Sequence, residues 1–423
     1  MCRTIGESAG NGPPSKGQTR DCDMSEPRAT TGTDWRKTGL VLGLGTAQTL
    51  AWASSYYLVA FVADPQARDL GVSKSTIFAA FTGALLVAAL LGPRVGRTID
   101  RFGGREVLAA SNLLFAAGLA LMAIAQSALV LWLGWLVLGA GMGLGLYDAA
   151  FAALGRIHGT GARGSITGIT LLAGFASTVG WPLTSWGVDA FGWRPTCLAW
   201  ALAHVLLGLP LNLLSLPKLA RQAPDEASSA PGVVTMDRSM WLLGFAFAAG
   251  WVVAAAFAAH LPRLLEAAGA NTAQVLLAGM LLGPAQVASR ALEATLFSRV
   301  HPLMTARACL LAHPAGACLI LAGGGAMAAP FMALHGGGHG ILTVARGTVP
   351  LSVFGPRDYG YRLGLLGAPT RIAQAFAPLA FSVIIDHLGA ATLYVTSAIC
   401  IAASLALFAV RLPEAPEAGQ RPA

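Results

Sequence analysis

The feature that most constrains this chain is a series of apolar runs of about 20 residues, separated by short polar segments. A helix of that length crosses the roughly 30 Å hydrocarbon core of a bilayer. Only 11% of the residues are charged, against about a quarter in soluble globular proteins. The runs also lack the apolar and polar alternation of a membrane β-barrel. The sequence therefore predicts an all-α polytopic membrane protein.

The apolar runs predict twelve transmembrane helices. They are residues 38–62, 76–97, 106–126, 128–153, 165–188, 195–216, 239–260, 272–294, 303–323, 326–350, 361–385 and 390–411. Residues 217–238, with "RQAPDEASSAPG" at their centre, have the composition of a linker. This linker divides the chain into two six-helix bundles, residues 38–216 and 239–411. Residues 1–37 are predicted to be a disordered cytoplasmic tail, and 412–423 a second cytoplasmic tail.

The basic residues indicate the orientation. An even number of spans places both termini on one side, and cytoplasmic loops carry an excess of Lys and Arg. With the termini inside, the outer loops hold only Arg68, Lys74, Arg194 and Arg263. The inner loops hold Arg94, Arg97, Arg101, Arg105, Arg156, Arg163, Lys218, Arg221, Arg238, Arg299, Arg307, Arg357 and Arg362. We therefore expect both termini in the cytoplasm.

Several function classes find no support in the sequence. The net charge of +8 follows from the basic inner loops, and no basic stretch is interleaved with exposed aromatic residues as in nucleic-acid-binding proteins. The six cysteines form no CxxC pair, so neither a disulfide framework nor a zinc site is expected. No G-x-x-x-x-G-K-[ST] loop is present, which excludes nucleotide hydrolysis by a P-loop. We expect no cofactor.

The two predicted bundles resemble each other. The tetrapeptide "LLGP" at 90–93 recurs at 281–284 in the second span of the other bundle. "GSITG" at 164–168 matches "GYRLG" at 360–364, at the start of each fifth span. Each fifth span also contains a proline, Pro182 or Pro378. Duplicated bundles around a central linker are typical of secondary transporters.

The loop after the second span has a recognisable pattern. Residues 96–105, "GRTIDRFGGR", resemble the G-x-x-x-D-R-x-G-R-R signature of the major facilitator superfamily, although Gly104 replaces the usual basic residue. The resemblance implies a monomeric twelve-helix transporter with two pseudo-symmetric halves that works by alternating access. It also implies a conformational latch, formed here by Gly96, Asp100, Arg101, Gly103 and Arg105. The alternative is a basic loop that only sets topology. Gly96 and Gly103 are expected to allow a tight turn between the helices.

In this superfamily the first, fourth, seventh and tenth helices line a central cavity. The tenth span carries His335, His339 and Arg346 on one face, and we expect this stripe to face the substrate. The alternative is that the two histidines only pack against neighbouring helices and that Arg346 extends to the edge of the membrane. His335 and His339 have the spacing of a helical metal pair, but no third ligand is near in sequence, so no metal site is expected.

Ionisable residues inside membrane spans usually face a cavity or a partner. In the eighth span, Gln286, Arg290 and Glu293 share a face. Either Arg290 and Glu293 form an ion pair, or these side chains contact the substrate. In the eleventh span, Arg371 and Gln374 lie one turn apart. A buried arginine such as Arg371 suits a carboxylate or phosphate, because its fork matches either group.

The first half contributes polar candidates as well. Gln48 and Tyr56 share a face of the first span, and Asp148 is the only acidic residue of the fourth. Asp148 and Glu293 are candidate proton carriers, since a buried carboxyl group with a raised pKa can bind a proton. The alternative for Asp148 is a salt bridge, with Arg346 as a candidate partner. Protons are thus a candidate coupling ion.

These residues predict a secondary transporter for a small, anionic solute in a bacterial inner membrane. The segments "GPAQVASR" and "ARGTVPLSVFG" resemble a bacterial facilitator subgroup, some of whose relatives export metalloids. With Cys309 and His313 on one face of the ninth span, metalloid or drug efflux is the alternative. A membrane enzyme or a non-transporting receptor is less favoured, because no catalytic grouping is evident and the tails are short.

Overall fold

The computed structural model describes residues 35–221 and 234–410. These residues form helices and no strand. The predicted tails, apart from residues 35–37, and the centre of the predicted linker lie outside the described residues. The α-helices are α1 Trp35–Ser54, α2 Val59–Asp69, α3 Lys74–Phe102, α4 Arg105–Ala123, α5 Ala128–Gly145, α6 Tyr147–His158, α7 Arg163–Ala173, α8 Ala176–Phe191, α9 Trp193–Ala203, α10 Leu209–Ser215, α11 Arg238–Ala267, α12 Thr272–Thr295, α13 Pro302–Gly323, α14 Ala328–Phe354, α15 Tyr359–Leu388 and α16 Thr392–Phe408.

Each predicted span coincides with one helix or with an interrupted pair. The first, fourth, fifth and sixth spans are the pairs α1–α2, α5–α6, α7–α8 and α9–α10. By length and composition, eight helical segments of the described residues could cross a membrane. Four of these, Ala128–Phe191, Trp193–Ser215, Pro302–Phe354 and Tyr359–Phe408, contain more than one helix. A count of twelve spans fits this all-helical architecture.

The interruptions fall inside the bundle. Leu146 has an extended backbone, with ψ of −174°, between α5 and α6. The first span breaks between Ser54 and Val59, and the fifth at Gly174 and Phe175. Pro182, by contrast, lies within α8, so the fifth span is not interrupted at its proline. The break at Leu146 starts a new helix just before Asp148, which places that carboxylate in the first turn of α6.

Four apolar clusters form the core. We call α1–α10 the N half and α11–α16 the C half. One cluster centres on Trp135 and Phe115 in the N half, and two others lie within the C half. The fourth joins N-half residues such as Phe151 to Leu351, Tyr359 and Leu363 of the C half. Apolar packing therefore occurs both within each half and between the halves.

The halves make close contacts at one end of the bundle, which we call the Asp100 end. There α3 packs along α15, α6 packs on α15, and α7 packs on α12 and α14. Helices α2, α5 and α8, which form the opposite ends of their spans, pack mainly on other N-half helices. The space between the halves is therefore closed at the Asp100 end, which is the predicted cytoplasmic side.

Candidate functional site

Asp100 connects the two halves directly. Its carboxylate oxygens accept hydrogen bonds from the backbone N–H groups of Gly360 and Tyr361, each at 2.8 Å. These groups belong to the first turn of α15, where unpaired N–H groups favour a negative charge. The guanidinium of Arg97 lies 4.0 Å from the centre of the Tyr361 ring. The Arg156 side chain donates to the Asp100 carbonyl oxygen at 3.1 Å.

The other residues of the signature have different local roles. Gly103 ends α3 with φ of +90°, a conformation that favours glycine. Gly96 does not take part in a turn, so that part of the expectation is wrong. It lies inside α3, where a methyl group would overlap the Gly360 carbonyl oxygen. Arg105 donates to the Leu213 carbonyl at 2.9 Å, and Arg101 is exposed.

A second polar contact joins the halves at the same end. Arg163 Nη2 lies 2.7 Å from Glu293 Oε1, and the Glu293 side chain is only 2% exposed. Arg163 also donates to the carbonyls of Val300 and Phe297 at 2.6 and 2.8 Å. Of the two alternatives for Arg290 and Glu293, the Arg290–Glu293 pair is not formed, because Glu293 pairs with Arg163 of α7.

The two contacts are related by the internal repeat. Arg163 directly precedes the repeat segment 164–168, as Tyr359 directly precedes 360–364. In one contact the carboxylate near the end of α3 holds the start of α15. In the other the carboxylate near the end of α12 holds the start of α7. The second contact uses a side chain where the first uses backbone amides.

A buried charge cluster lies deeper in the bundle. Asp148 Oδ2 is 2.8 Å from Arg346 Nη2 and 2.7 Å from Arg371 Nη2. All three side chains are less than a tenth exposed. Asp148 Oδ1 and Arg371 Nη1 have no hydrogen-bond partner among the described residues. Two buried guanidiniums thus share one carboxylate oxygen, which leaves an excess positive charge. The salt-bridge alternative for Asp148 is present in the structure.

Arg290 adds a third buried cation. Its side chain donates to the Thr170 carbonyl at 2.8 Å, and to the Gly340 carbonyl and Gln286 Oε1 at 3.4 Å each. Arg290 is 4% exposed, and these partners are neutral. Arg290 therefore contributes buried positive charge that these contacts do not neutralise.

Polar and aromatic side chains surround this cluster. Gln374 Nε2 donates to the Tyr56 hydroxyl at 2.8 Å, which joins α15 to the break in the first span. Gln48 Nε2 donates to the Gly145 carbonyl at 2.6 Å. The Arg346 guanidinium lies 5.6 Å from the Trp251 ring centre, and the His339 ring packs against Trp251 at 4.6 Å.

The predicted histidine stripe divides into two parts. His339 and Arg346 adjoin Trp251, whereas His335 Nδ1 lies 2.9 Å from His313 Nδ1, and His313 Nε2 lies 2.9 Å from the Thr396 hydroxyl. This second network lies within the C half. In the described part of the chain, no group of three or more His, Cys, Asp or Glu residues could hold a metal ion. The Cys309 thiol donates to the Ala306 carbonyl.

Comparison with known proteins identifies the family. Residues 44–342 match the family described as Major Facilitator Superfamily. The chain belongs to the Major Facilitator Superfamily. A similar curated sequence, an "Uncharacterized 38 kDa protein in 23S RNA operon" of Thermoproteus tenax, is 29% identical over 355 residues, which cover 83% of this chain and 89% of that protein.

Solved structures of the superfamily share the fold. The human organic anion transporter MFSD10 (TETRAN) has a TM-score of 0.64 and 16% identity, covering 88% of this chain and 99% of that one. The proton:xylose symporter XylE has a TM-score of 0.70 and 14% identity, covering 89% and 96%. FucP in the outward conformation has a TM-score of 0.64 and 13% identity, covering 88% and 96%. At these identities the likeness extends to the fold alone.

Sequence patterns did not single out Arg163 or Trp251 in this superfamily member. The sequence places Arg163 only among the basic residues of an inner loop. Its position immediately before the repeated "GSITG" segment is the signal that could have placed it beside α12. Trp251 lies among apolar residues of α11, and nothing in that local pattern distinguishes it from a core residue.

Proposed function

We propose that this superfamily member is a secondary transporter that moves a small organic anion through the space between its halves by alternating access. The anion binds at the Asp148–Arg346–Arg371 cluster. The transporter works as a monomer in a bacterial inner membrane, with both termini in the cytoplasm. The coupling comes from an ion gradient rather than from nucleotide hydrolysis.

The observation that carries this proposal is the imbalance of buried charge. Arg346 and Arg371 share a single oxygen of Asp148, and Arg290 is bound by neutral acceptors. Burying an unpaired guanidinium costs at least about 2.5–3.5 kcal/mol on insertion scales. A substrate anion would lower this cost when it binds. A cation would add to the excess positive charge and is disfavoured.

Asp148 supplies the coupling step. When deprotonated, it occupies both arginines and competes with the incoming carboxylate for them. A proton on Asp148 removes that competition, so that Arg346 and Arg371 can form charge-assisted bonds with the substrate. Anion and proton therefore bind together at one cluster. Glu293 is less suited to this role, because Arg163 holds it at the Asp100 end.

Transport assays in proteoliposomes test the charge preference. The purified protein is reconstituted, and uptake of a pool of small solutes is measured with a proton gradient directed into the vesicles. We expect anions to be taken up and to compete with one another, while cations of the same size do not compete. Uptake that only cations inhibit would overturn the proposal. Protein-free vesicles provide the background rate.

A further inference from the structure

Aromatic side chains form a continuous wall beside the buried charge cluster. Tyr147 directly precedes Asp148, and its ring centre lies 5.0 Å from that of Trp52. The Trp52 ring is in turn 5.4 Å from Tyr56, whose hydroxyl binds Gln374, one helical turn from Arg371. Three aromatic rings of the N half thus form a chain of contacts from the residue before Asp148 to the partner of Gln374.

The C half presents an aromatic ring to the same cluster. The Trp251 ring lies 5.6 Å from the Arg346 guanidinium, a cation–π distance, and is buried. The His339 ring meets it edge-on at 83°. Arg346 binds the same oxygen of Asp148 as Arg371, so Trp251 of the C half contacts a member of the charge cluster directly, while Tyr147 of the N half is the residue before Asp148.

Both tryptophans carry an unused hydrogen-bond donor. Trp52 Nε1 and Trp251 Nε1 are buried without a partner among the described residues, although a buried indole N–H usually finds one. Among the other described tryptophans, the donors of Trp193 and Trp200 are bound, by Asp69 and Thr184, whereas Trp135 Nε1 in the apolar core of the N half is also without a partner. Arg371 Nη1 is a third unused donor at the cluster. Buried donors without partners cost free energy, which a ligand with acceptor oxygens would recover.

These observations limit the ligand that fits. A small inorganic anion would bind the arginines but has no ring that could stack on the Trp and Tyr side chains. A flat ring can stack on Trp and Tyr faces, which is more favourable than area burial alone. Resting on the proposed function, we propose that the transported anion is an aromatic carboxylate. Its carboxylate binds Arg371 and Arg346, and its ring lies against Trp251 and Trp52.

Binding to the purified full-length protein tests the ring preference with matched probes. Benzoate and cyclohexanecarboxylate share the carboxylate and differ in the flatness of the ring. Benzamide shares the ring but lacks the charge, and sulfate has charge without a ring. We expect benzoate to bind at least tenfold more tightly than cyclohexanecarboxylate or sulfate, with no detectable binding of benzamide.

Two substitutions at Trp251 separate its ring from its donor. Trp251→Leu should bring benzoate and cyclohexanecarboxylate to similar affinities, whereas Trp251→Phe should keep the preference and weaken both carboxylates. Trp200→Phe is the matched control, because the Trp200 donor is already bound to Thr184, and it should leave both affinities unchanged. If a Trp251 variant is unstable, the wild-type comparison of benzoate with cyclohexanecarboxylate still decides the inference.

The outcomes distinguish this inference from the proposed function. Equal affinities for benzoate and cyclohexanecarboxylate, or tighter binding of sulfate than of benzoate, would overturn the aromatic ligand and leave an anion transporter. Binding of benzamide as tight as that of benzoate would overturn the anion site itself.

Discussion

Replacing Asp148 with asparagine should destabilise the protein and strengthen anion binding at the same time. The substitution keeps the side-chain shape but removes the charge that Arg346 and Arg371 share. Removing one partner of a buried ion pair costs about 3–5 kcal/mol, so we expect the free energy of unfolding to fall by about 3 kcal/mol. The two guanidiniums lose a competing carboxylate, and a hydrogen bond to a charged group contributes about 1.5–3 kcal/mol. The dissociation constant for the anion should therefore fall about tenfold to a hundredfold.

The assay combines thermal unfolding in detergent with direct binding of the transported anion. In the Asp148→Asn protein, saturating anion should restore much of the lost stability, since ligand at a hundred times its dissociation constant adds about 2.7 kcal/mol. Glu293→Gln is the matched control, because Glu293 is also a buried carboxylate paired with an arginine. It should be destabilised without any gain in anion affinity. Unchanged stability and affinity in Asp148→Asn would refute the argument that this carboxylate neutralises the arginines.

Further substitutions test the contacts that close the Asp100 end. Asp100→Asn should reduce transport by about tenfold or more at normal membrane abundance, because the charge that holds the first turn of α15 is lost; a wild-type rate would contradict the latch. Gly96→Val should hold the halves apart and expose engineered cysteines at this end to thiol reagents, whereas Gly39→Val, at an exposed glycine with open space around it, should not. Arg163→Gln and Glu293→Gln should each reduce transport, and the double variant should lose no more than either one if the pair acts as a unit.

Apolar periodicity predicted the architecture well because the bilayer imposes a fixed length on each span. It could not predict the interruptions. Beside two of the breaks, backbone carbonyls accept from side chains of other helices: Gly145 from Gln48 near Leu146, and Leu172 from Thr49 near Phe175. A single apolar run does not encode such partners. The same limit explains why the sequence did not predict the role of Gly96. The motif indicates a glycine there, but only the position of α15 shows that the missing side chain allows the two helices to pack closely.

The sequence does not show which of the buried charged side chains pair with each other. Arg290 and Glu293 lie one turn apart, a spacing that allows a pair, yet Glu293 binds Arg163, 130 residues away in sequence. Asp148 and Arg346 are 198 residues apart and do pair. The local rule for helix neighbours cannot rank such partners, because tertiary packing decides which side chains face each other. The roles of the individual residues at the cluster and at the Asp100 end stay predictions.

The affinity of the purified protein for its transported anion tests the central proposal most directly when Arg371→Lys is compared with Arg307→Lys. Both arginines are buried, but Arg307 donates to the carbonyls of Leu407 and Val410 within the C half, away from Asp148. Lysine keeps the charge and loses the bidentate fork. Calorimetry should show anion affinity at least tenfold weaker in Arg371→Lys and unchanged in Arg307→Lys. Wild-type affinity in both variants would contradict an anion site at Arg371.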